Sequence, residues 1–231
     1  NGWVGVGWSL EMGAIERETS HGVPTYSGSD TFTLQLQGVA SELVQIPDGT
    51  YRVKDEGLFV RVANQGAGGW DVRDKAGTRY LFGGTSDSEQ TTPRGTFRWV
   101  LRKVIDPNGN DLTITYTKDQ GQIYPLQVQY TGHEPSGLLP ANTIDFVLEN
   151  RPDVDTSSRS GVVVTTAKRL KSMAVTASGQ LARKYQLTYT ISPRTGRSML
   201  SLMTQLGSDG VSSLPPTAFT YQSVTEPTYT Q

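Results

Sequence analysis

The side chains best spaced for chemistry are Asp106, Asn108 and Asn110, three oxygen bearers at alternate positions of Asp106-Pro107-Asn108-Gly109-Asn110. Alternating oxygens open a calcium loop, but that kind of loop wants a glycine next and a carboxylate at its end, whereas Asp111 and Leu112 follow here. The competing reading is a type I turn with a glycine bulge, its Asp and Asn side chains bonded to backbone amides. Gly5-Val6-Gly7 is a lone GxG with no following Lys-Ser/Thr and no helix, so it does not cradle phosphate. Carboxylate pairs for glycoside hydrolysis can be drawn from Glu11, Asp30, Glu149 and Asp153, but position along strands does not show which two share a face within catalytic range. Asp153 and Asp155, beside Ser157 and Ser158, read as a solvated loop. The two histidines, His21 and His133, sit among glycine and polar turn residues and read as solvated loop residues, not as a Ser-His-Asp arrangement or a metal pair. The absence of cysteine excludes disulfides, thiolate zinc sites and cysteine nucleophiles. The sequence therefore predicts no catalytic residues and no cofactor, with Asp106, Asn108 and Asn110 as the one calcium candidate.

These residues must be positioned by strands. Trp99 to Tyr130 alternates apolar and polar residues around the Asp106–Asn110 turn, the pattern of a hairpin followed by a third strand, with Gly109 in a positive-φ conformation. Phe32, Leu34 and Leu36 alternate with Thr33, Gln35 and Gln37 as in a half-buried antiparallel strand. Further strands read at Leu43 to Ile46, Thr50 to Lys54, Leu58 to Gln65, Gly69 to Asp74, Thr78 to Gly83, Thr143 to Glu149, 162–178, 180–192, Met199 to Leu206 and Ala218 to Gln222. The glycines of GWVGVGWSLEMG mark bulges or close backbone approach inside a first strand. Ser86 to Gly95 reads as a surface loop, and Arg151 to Gly161 as a disordered tip. No stretch carries the stripe of a helix longer than about two turns. Among the aromatics, Trp8 and Trp99 are expected to pack the sheet, while Tyr26, Trp70 and Tyr80 are candidates for an exposed platform.

With 231 residues, 35% hydrophobic, 25 glycines and 12 prolines, the composition is that of short strands joined by many turns. The expected fold is all-β: antiparallel hairpins in a curved, layered sheet. One domain over 1–231 is expected, with lobes at 1–95 and 96–231 as the alternative division. A net charge of -1 gives no reason to expect nucleic acid or an anionic membrane as partner. No apolar run is long enough for a signal peptide or membrane helix, and the start at Asn1 predicts a segment cut from a longer polypeptide, with unpaired strand edges near Asn1 and Gln231.

Several blocks in order resemble a known family. Gly7-Trp8-Ser9-Leu10, Ile15-Glu16-Arg17, the Trp99 to Tyr130 block with Tyr124-Pro125, and Ile144-Asp145-Phe146 leading to Glu149-Asn150-Arg151-Pro152-Asp153 are the first of them. Lys168-Arg169-Leu170, Tyr185-Gln186-Leu187-Thr188-Tyr189, Leu214-Pro215-Pro216 and Phe219-Thr220-Tyr221 complete the series. Together they resemble the virulence-plasmid B (SpvB-like) proteins and the B component of bacterial insecticidal toxin complexes, related to Rhs and YD-repeat proteins. The resemblance implies a secreted bacterial shell of strand-turn units that encloses a toxic C-terminal polypeptide. Its partners would be other segments of the same parent polypeptide, the enclosed cargo and other toxin-complex subunits. It implies no catalytic residues in this region. A protein- or glycan-binding β module is the alternative function, and a β-rich glycoside hydrolase the third.

Overall fold

The alternation at Phe32, Leu34 and Leu36 turns three apolar side chains to one side of a strand, and the molecule curls its sheet until that side is enclosed. The computed structural model describes residues 2–55 and 57–222. In chain order, β1 (Ala14–Arg17), β2 (Phe32–Leu36), β3 (Val39–Gln45), β4 (Tyr51–Val53), β5 (Arg61–Asn64), β6 (Trp70–Arg73) and β7 (Arg79–Phe82) pair antiparallel, each with the next. After β8 (Glu89–Thr92), the long strand β9 (Gly95–Ile105) pairs with both β7 and β1 and closes a ring. The expected curved antiparallel sheet is present, and the β1–β9 pairing makes this part of it a barrel.

The ring is filled. Trp70 lies 4.9 Å from Phe32, 5.3 Å from Tyr51 and 5.7 Å from Trp99 between ring centroids, all edge to face, the arrangement that aromatic quadrupoles favour. Val62, Val72, Phe82 and Leu34 are fully buried around them. The Arg17 guanidinium stands 5.2 Å from the Phe32 ring and 5.7 Å from Trp99, and pairs with Asp30 at 2.7 Å. Trp99 packs as expected. Trp70 and Tyr80, at 1% and 8% exposure, are core residues, so the exposed platform predicted from Tyr26, Trp70 and Tyr80 does not form. Tyr26 itself is half-buried against Arg17 and donates to the Ser160 carbonyl at 2.5 Å.

From β9 the sheet continues as a meander: β10 (Asn110–Asp119), β11 (Gln122–His133), β12 (Asn142–Ser157), β13 (Val164–Ala177), β14 (Gln180–Ile191), β15 (Ser198–Leu206) and β16 (Thr217–Ala218). The helices among the described residues are two single 3-10 turns, 66–68 and 134–136. Met199 to Leu206 is strand, as expected. Arg151 to Gly161 is not a disordered tip: β12 runs through it to Ser157, Arg151 and Ser160 are buried, and Arg159 pairs with Glu16 at 3.0 Å. Its polar residues are held by partners far along the chain, which a local hydropathy reading does not see. Ser86 to Gly95 likewise contains β8, with Ser88 and Gln90 buried. The first glycine-rich segment is no strand. Residues 2–8 form turns; Gly2, Gly5 and Gly13 sit at close backbone approaches, whereas Gly7, at φ 77°, faces open space.

Both chain-end segments seal the outer edge of β15. The Val6 amide donates to the Ser198 carbonyl at 2.9 Å, and residues 213–219 pair along the remainder, from Leu206 with Ser213 to the Phe219 amide on the Ser201 carbonyl. Trp8 packs edge to face on Phe219 at 4.8 Å, and its indole N–H donates to the Tyr221 hydroxyl. The edge predicted open near Asn1 is therefore covered; Gln231 lies outside the described residues. Trp8, 39% exposed, clasps the two ends instead of filling the core.

Two outcomes test this architecture. Gly109 sits at φ 89°, and a Cβ there would lie 2.4 Å from Pro135 Cδ, whereas Gly49, at φ 82°, faces open space. Gly109→Ala should cost about 2–4 kcal/mol and Gly49→Ala about 1 kcal/mol, read from denaturant midpoints. Equal costs would show that Pro135 does not pack on the turn. The second concerns pH. Thr33 Oγ1 and the amides of Thr19 and Ser20 donate to Glu18 and hold its carboxyl below the usual range. Burial pushes Asp30 up, but donors from Thr25, Tyr26 and Arg17 overcome it, leaving Asp30 lowered too. The unfolded chain then binds more protons as pH falls. This stabilisation is complete above the ordinary carboxylate values near pH 4 and is lost as pH drops through the folded values. Glu18→Gln should lower stability at neutral pH and flatten its decline below about pH 4; an unchanged acid limb would contradict the assignment.

Candidate functional site

The carboxylate and arginine pairs of the meander converge where residues 2–8 lie across it. The Trp3 carbonyl accepts the Leu170 amide at 2.8 Å. Arg151 Nη1 donates to the Gly2 carbonyl at 3.1 Å. That guanidinium is fully buried and grips Asp153 with two bonds, Nη2 to Oδ2 at 2.7 Å and Nε to Oδ1 at 3.1 Å. Asp153 also accepts the Ser198 amide at 2.7 Å and the Ser198 hydroxyl. Ser198 Oγ accepts from Arg169 Nη1 at 2.8 Å, and Arg169 Nε donates to Glu149 Oε1 at 2.7 Å.

Local structure sets each member. β12 supplies Glu149, Arg151 and Asp153; β13 supplies Arg169; β15 begins at Ser198. Tyr189 of β14 places its ring 4.4 Å under the Arg169 guanidinium and donates its hydroxyl to the Leu170 carbonyl at 2.6 Å. Burial pushes the Tyr189 phenol well above its usual pKa, which keeps that donor protonated. Gly5, at φ 101°, lets the backbone pass: a Cβ there would meet the Ser198 carbonyl at 3.0 Å and the Tyr189 ring at 3.4 Å. Two guanidiniums face two carboxylates, and the serine bridges the pairs. A buried charge is tolerated only when it is paired and hydrogen-bonded in this way. What the arrangement can do is fasten residues 2–8 to the sheet.

Asp153 was expected on a solvated loop and is instead the centre of this cluster. Glu149 is linked to it through Arg169 and Ser198. Asp30 belongs to the barrel cluster with Arg17, and Glu11 is exposed, 3.9 Å from Arg98. At the calcium candidate, Asp106 Oδ1 accepts the amides of Asn108 and Asn110 at 2.8 and 2.9 Å, and Oδ2 accepts Asn110 Nδ2 at 2.7 Å. These bonds, led by the Asn110 side chain, lower the Asp106 pKa. They are the bonds of the turn reading. His133 is not a free loop residue: its Nε2 lies 3.0 Å from the Asn108 carbonyl and its Nδ1 2.8 Å from Ser136 Oγ. His21 stays exposed. Gly5-Val6-Gly7 belongs to the fastened segment. Sequence reasoning missed Ser198 and Tyr189 as partners of Asp153 and Arg169, since only tertiary contact joins them.

Removing Arg151 takes the two-bonded guanidinium from a buried carboxylate, so Arg151→Ala should cost about 3–5 kcal/mol, while Arg151→Met with Asp153→Leu should recover much of that. Chemical denaturation of both variants checks the pairing. A double variant no more stable than the single one would show that the loss comes from packing.

The family model described as Salmonella virulence plasmid 65kDa B protein matches residues 1–58. Mono(ADP-ribosyl)transferase SpvB of Salmonella typhimurium (strain 14028s / SGSC 2262) is 26% identical over 175 residues, which span 63% of this chain and 30% of that protein. The SpvB of Salmonella dublin matches to the same extent. The structure of the N-terminal domain of effector protein SpvB from Salmonella typhimurium strain LT2 superposes with a TM-score of 0.75 at 20% identity, covering 90% of both chains. The crystal structure of TcdB2-TccC3 superposes with a TM-score of 0.77 at 19% identity over 97% of this chain and 15% of that one. The Photorhabdus luminescens Tc holotoxin pore gives 0.78 at 19% over 96% and 14%. The chain is thus similar in sequence to SpvB over part of its length, and over nine-tenths of its length it has the fold of an SpvB N-terminal domain.

Proposed function

We propose that this chain is a wall segment of a secreted, toxin-related bacterial polypeptide, that it helps enclose another part of that polypeptide, and that it carries no catalysis of its own. The supporting observation is that the same fold recurs as about one-seventh of the much longer TcdB2-TccC3 chain. A filled barrel that continues into a meander with a sealed edge suits such a wall. The barrel offers no bore, and the edge strand β15 is covered by residues 4–6 and 213–219. The Arg151 cluster holds charges in balance instead of presenting a reactive group. An aromatic docking platform is less well supported, because two of its three anchors are core residues.

In the longer polypeptide, Trp99→Ala should remove core burial worth about 3–5 kcal/mol and make the enclosed part roughly tenfold more sensitive to added protease. Gly5→Val should act likewise by lifting residues 2–8. Glu11→Gln, on the exposed surface, should leave protection intact. Full protection in destabilised Trp99 and Gly5 variants would sink the reading, as would turnover of glycans, nucleotides or peptides by the isolated chain that one carboxylate substitution abolishes.

A further inference from the structure

Four arginines stand side by side on the outside of the barrel. In register, Arg61 of β5 faces Arg73 of β6, and Arg73 faces Arg79 of β7; residues directly opposed across antiparallel strands share a face of the sheet. Val62, Val72 and Tyr80, next to them in sequence, are buried in the barrel, so the arginines point outward. Tyr51 faces Val62, which brings Arg52 of β4 alongside Arg61 on the same side. With neighbouring strands about 4.8 Å apart, the row spans about 14 Å. Like charges set directly opposite one another are destabilising, and nearby carboxylates relieve them only in part. Asp71 takes Arg79 at 2.7 Å and stands 3.7 Å from Arg73. Asp48 stands 4.0 Å from Arg61, and its other oxygen accepts the amide and hydroxyl of Thr50. Arg52 has no carboxylate within 4.0 Å among the described residues; its Nη1 donates to Thr50 Oγ1 and to the Tyr51 carbonyl.

Arg52, Arg61 and Arg73 line one cleft of about 460 Å³ where β4 ends, β5 begins and β6 ends, with Phe59 as a wall and Asp74 as the carboxylate among its lining residues. Asp74 is spent on its own turn, accepting the Ala76 and Thr78 amides through one oxygen and the Tyr80 hydroxyl through the other. Phe59 is 57% exposed and sits at φ 46°, a conformation that a bulky side chain adopts only where its surroundings impose it. We propose that this cleft binds a phosphate monoester, with the phosphoryl oxygens on the three guanidiniums and the apolar body of the ester against the Phe59 ring. Three cations against one carboxylate leave two positive charges, and a phosphate monoester carries roughly 1.5–2 negative ones with three acceptor oxygens. A carboxylate is satisfied by a single guanidinium fork and would leave the other two unmatched. A single-stranded nucleic acid wants rings repeated along its track, and the cleft offers one. Its volume is that of a small-ligand site. The site stands whether or not the chain is part of a wall.

The test is calorimetric titration of the chain with phenyl phosphate, and in parallel with inorganic phosphate, phenyl sulfate and a phosphotyrosine peptide. Phenyl phosphate should bind roughly tenfold more tightly than inorganic phosphate, which lacks the ring, and than phenyl sulfate, which carries less charge. Arg61→Ala with Arg73→Ala should weaken it roughly tenfold or more, and Arg61→Lys with Arg73→Lys, which keeps the charge and loses the forks, roughly threefold. Phe59→Gly should bring phenyl phosphate down to the level of inorganic phosphate while the melting temperature holds or rises, because glycine takes a positive φ without strain. Arg183→Ala on β14 should leave binding unchanged. A phosphotyrosine peptide that binds as tightly as phenyl phosphate would identify a side-chain ester as the ligand, and one that binds more weakly a free ester; both support the site. No binding of phenyl phosphate, equal affinity for inorganic phosphate, or undiminished binding by either arginine double variant would overturn the assignment.

Discussion

Everything in this molecule depends on the two edges of β9. An eleven-residue strand is about 36 Å long, enough to hold two partners in succession on each edge. One edge pairs with β8 near its start and β7 near its end; the other pairs with β1 and then β10. With β7 and β1 on opposite edges the ring closes, and with β10 beyond β1 the chain leaves the ring without breaking the ladder. A strand that satisfied only one partner per edge would give a barrel or an open meander. Trp99 lies where β1 and β8 both face β9, in register with Ile15 and Glu89, and its ring turns into the barrel against Trp70.

That solution leaves the far side of the meander exposed, and the polar cluster around Arg151 answers it. Three of residues 2–8 are glycine, so the apolar grip on the segment is limited to Trp3, Val4, Val6 and the contact of Trp8 with Phe219. Fastening them requires directed bonds: the Leu170 amide on Trp3, the Val6 amide on Ser198 and the Arg151 guanidinium on Gly2. The cost of burying Arg151 is offset because Asp153 is itself held by Ser198, and Ser198 by Arg169. Such a network specifies one register of the covering segment, where apolar packing alone would tolerate several. Four of the sequence blocks that suggested a family resemblance lie here: Gly7 to Leu10, Glu149 to Asp153, Lys168 to Leu170 and Tyr185 to Tyr189.

Much of the fold was legible because it is local. Alternation at Phe32 to Leu36, the Asp106–Asn110 turn and the Ser178-Gly179 turn between β13 and β14 each depend on a few neighbouring residues, and each is present as read. What the sequence did not disclose is non-local. Asp153 looks solvated beside Asp155 and Ser157, and only contact with Ser198, forty-five positions away, makes it a core residue. Ser86 to Gly95 looks like a loop because its buried side chains, Ser88 and Gln90, are polar. Trp8 looks like core because tryptophan usually is, yet its partner Phe219 lies near the other end of the described chain.

Charge is the property that averaging hides most completely. A net charge of -1 is the residue of an acidic stretch up to residue 155 and a basic one after it. Because β12 and β13 are paired over most of their length, the boundary between them is where opposite charges meet, and Glu149 with Arg169 marks it. Beyond β13, Arg183, Lys184, Arg194 and Arg197 have no carboxylate within 4.0 Å among the described residues. Arg183 and Lys184, consecutive in β14, stand on opposite faces of the sheet, so the excess positive charge is divided between its two sides. The balance struck across β12 and β13 is therefore local: it neutralises the pairs at that boundary and leaves the net acidity before it and the net basicity after it to solvent and salt.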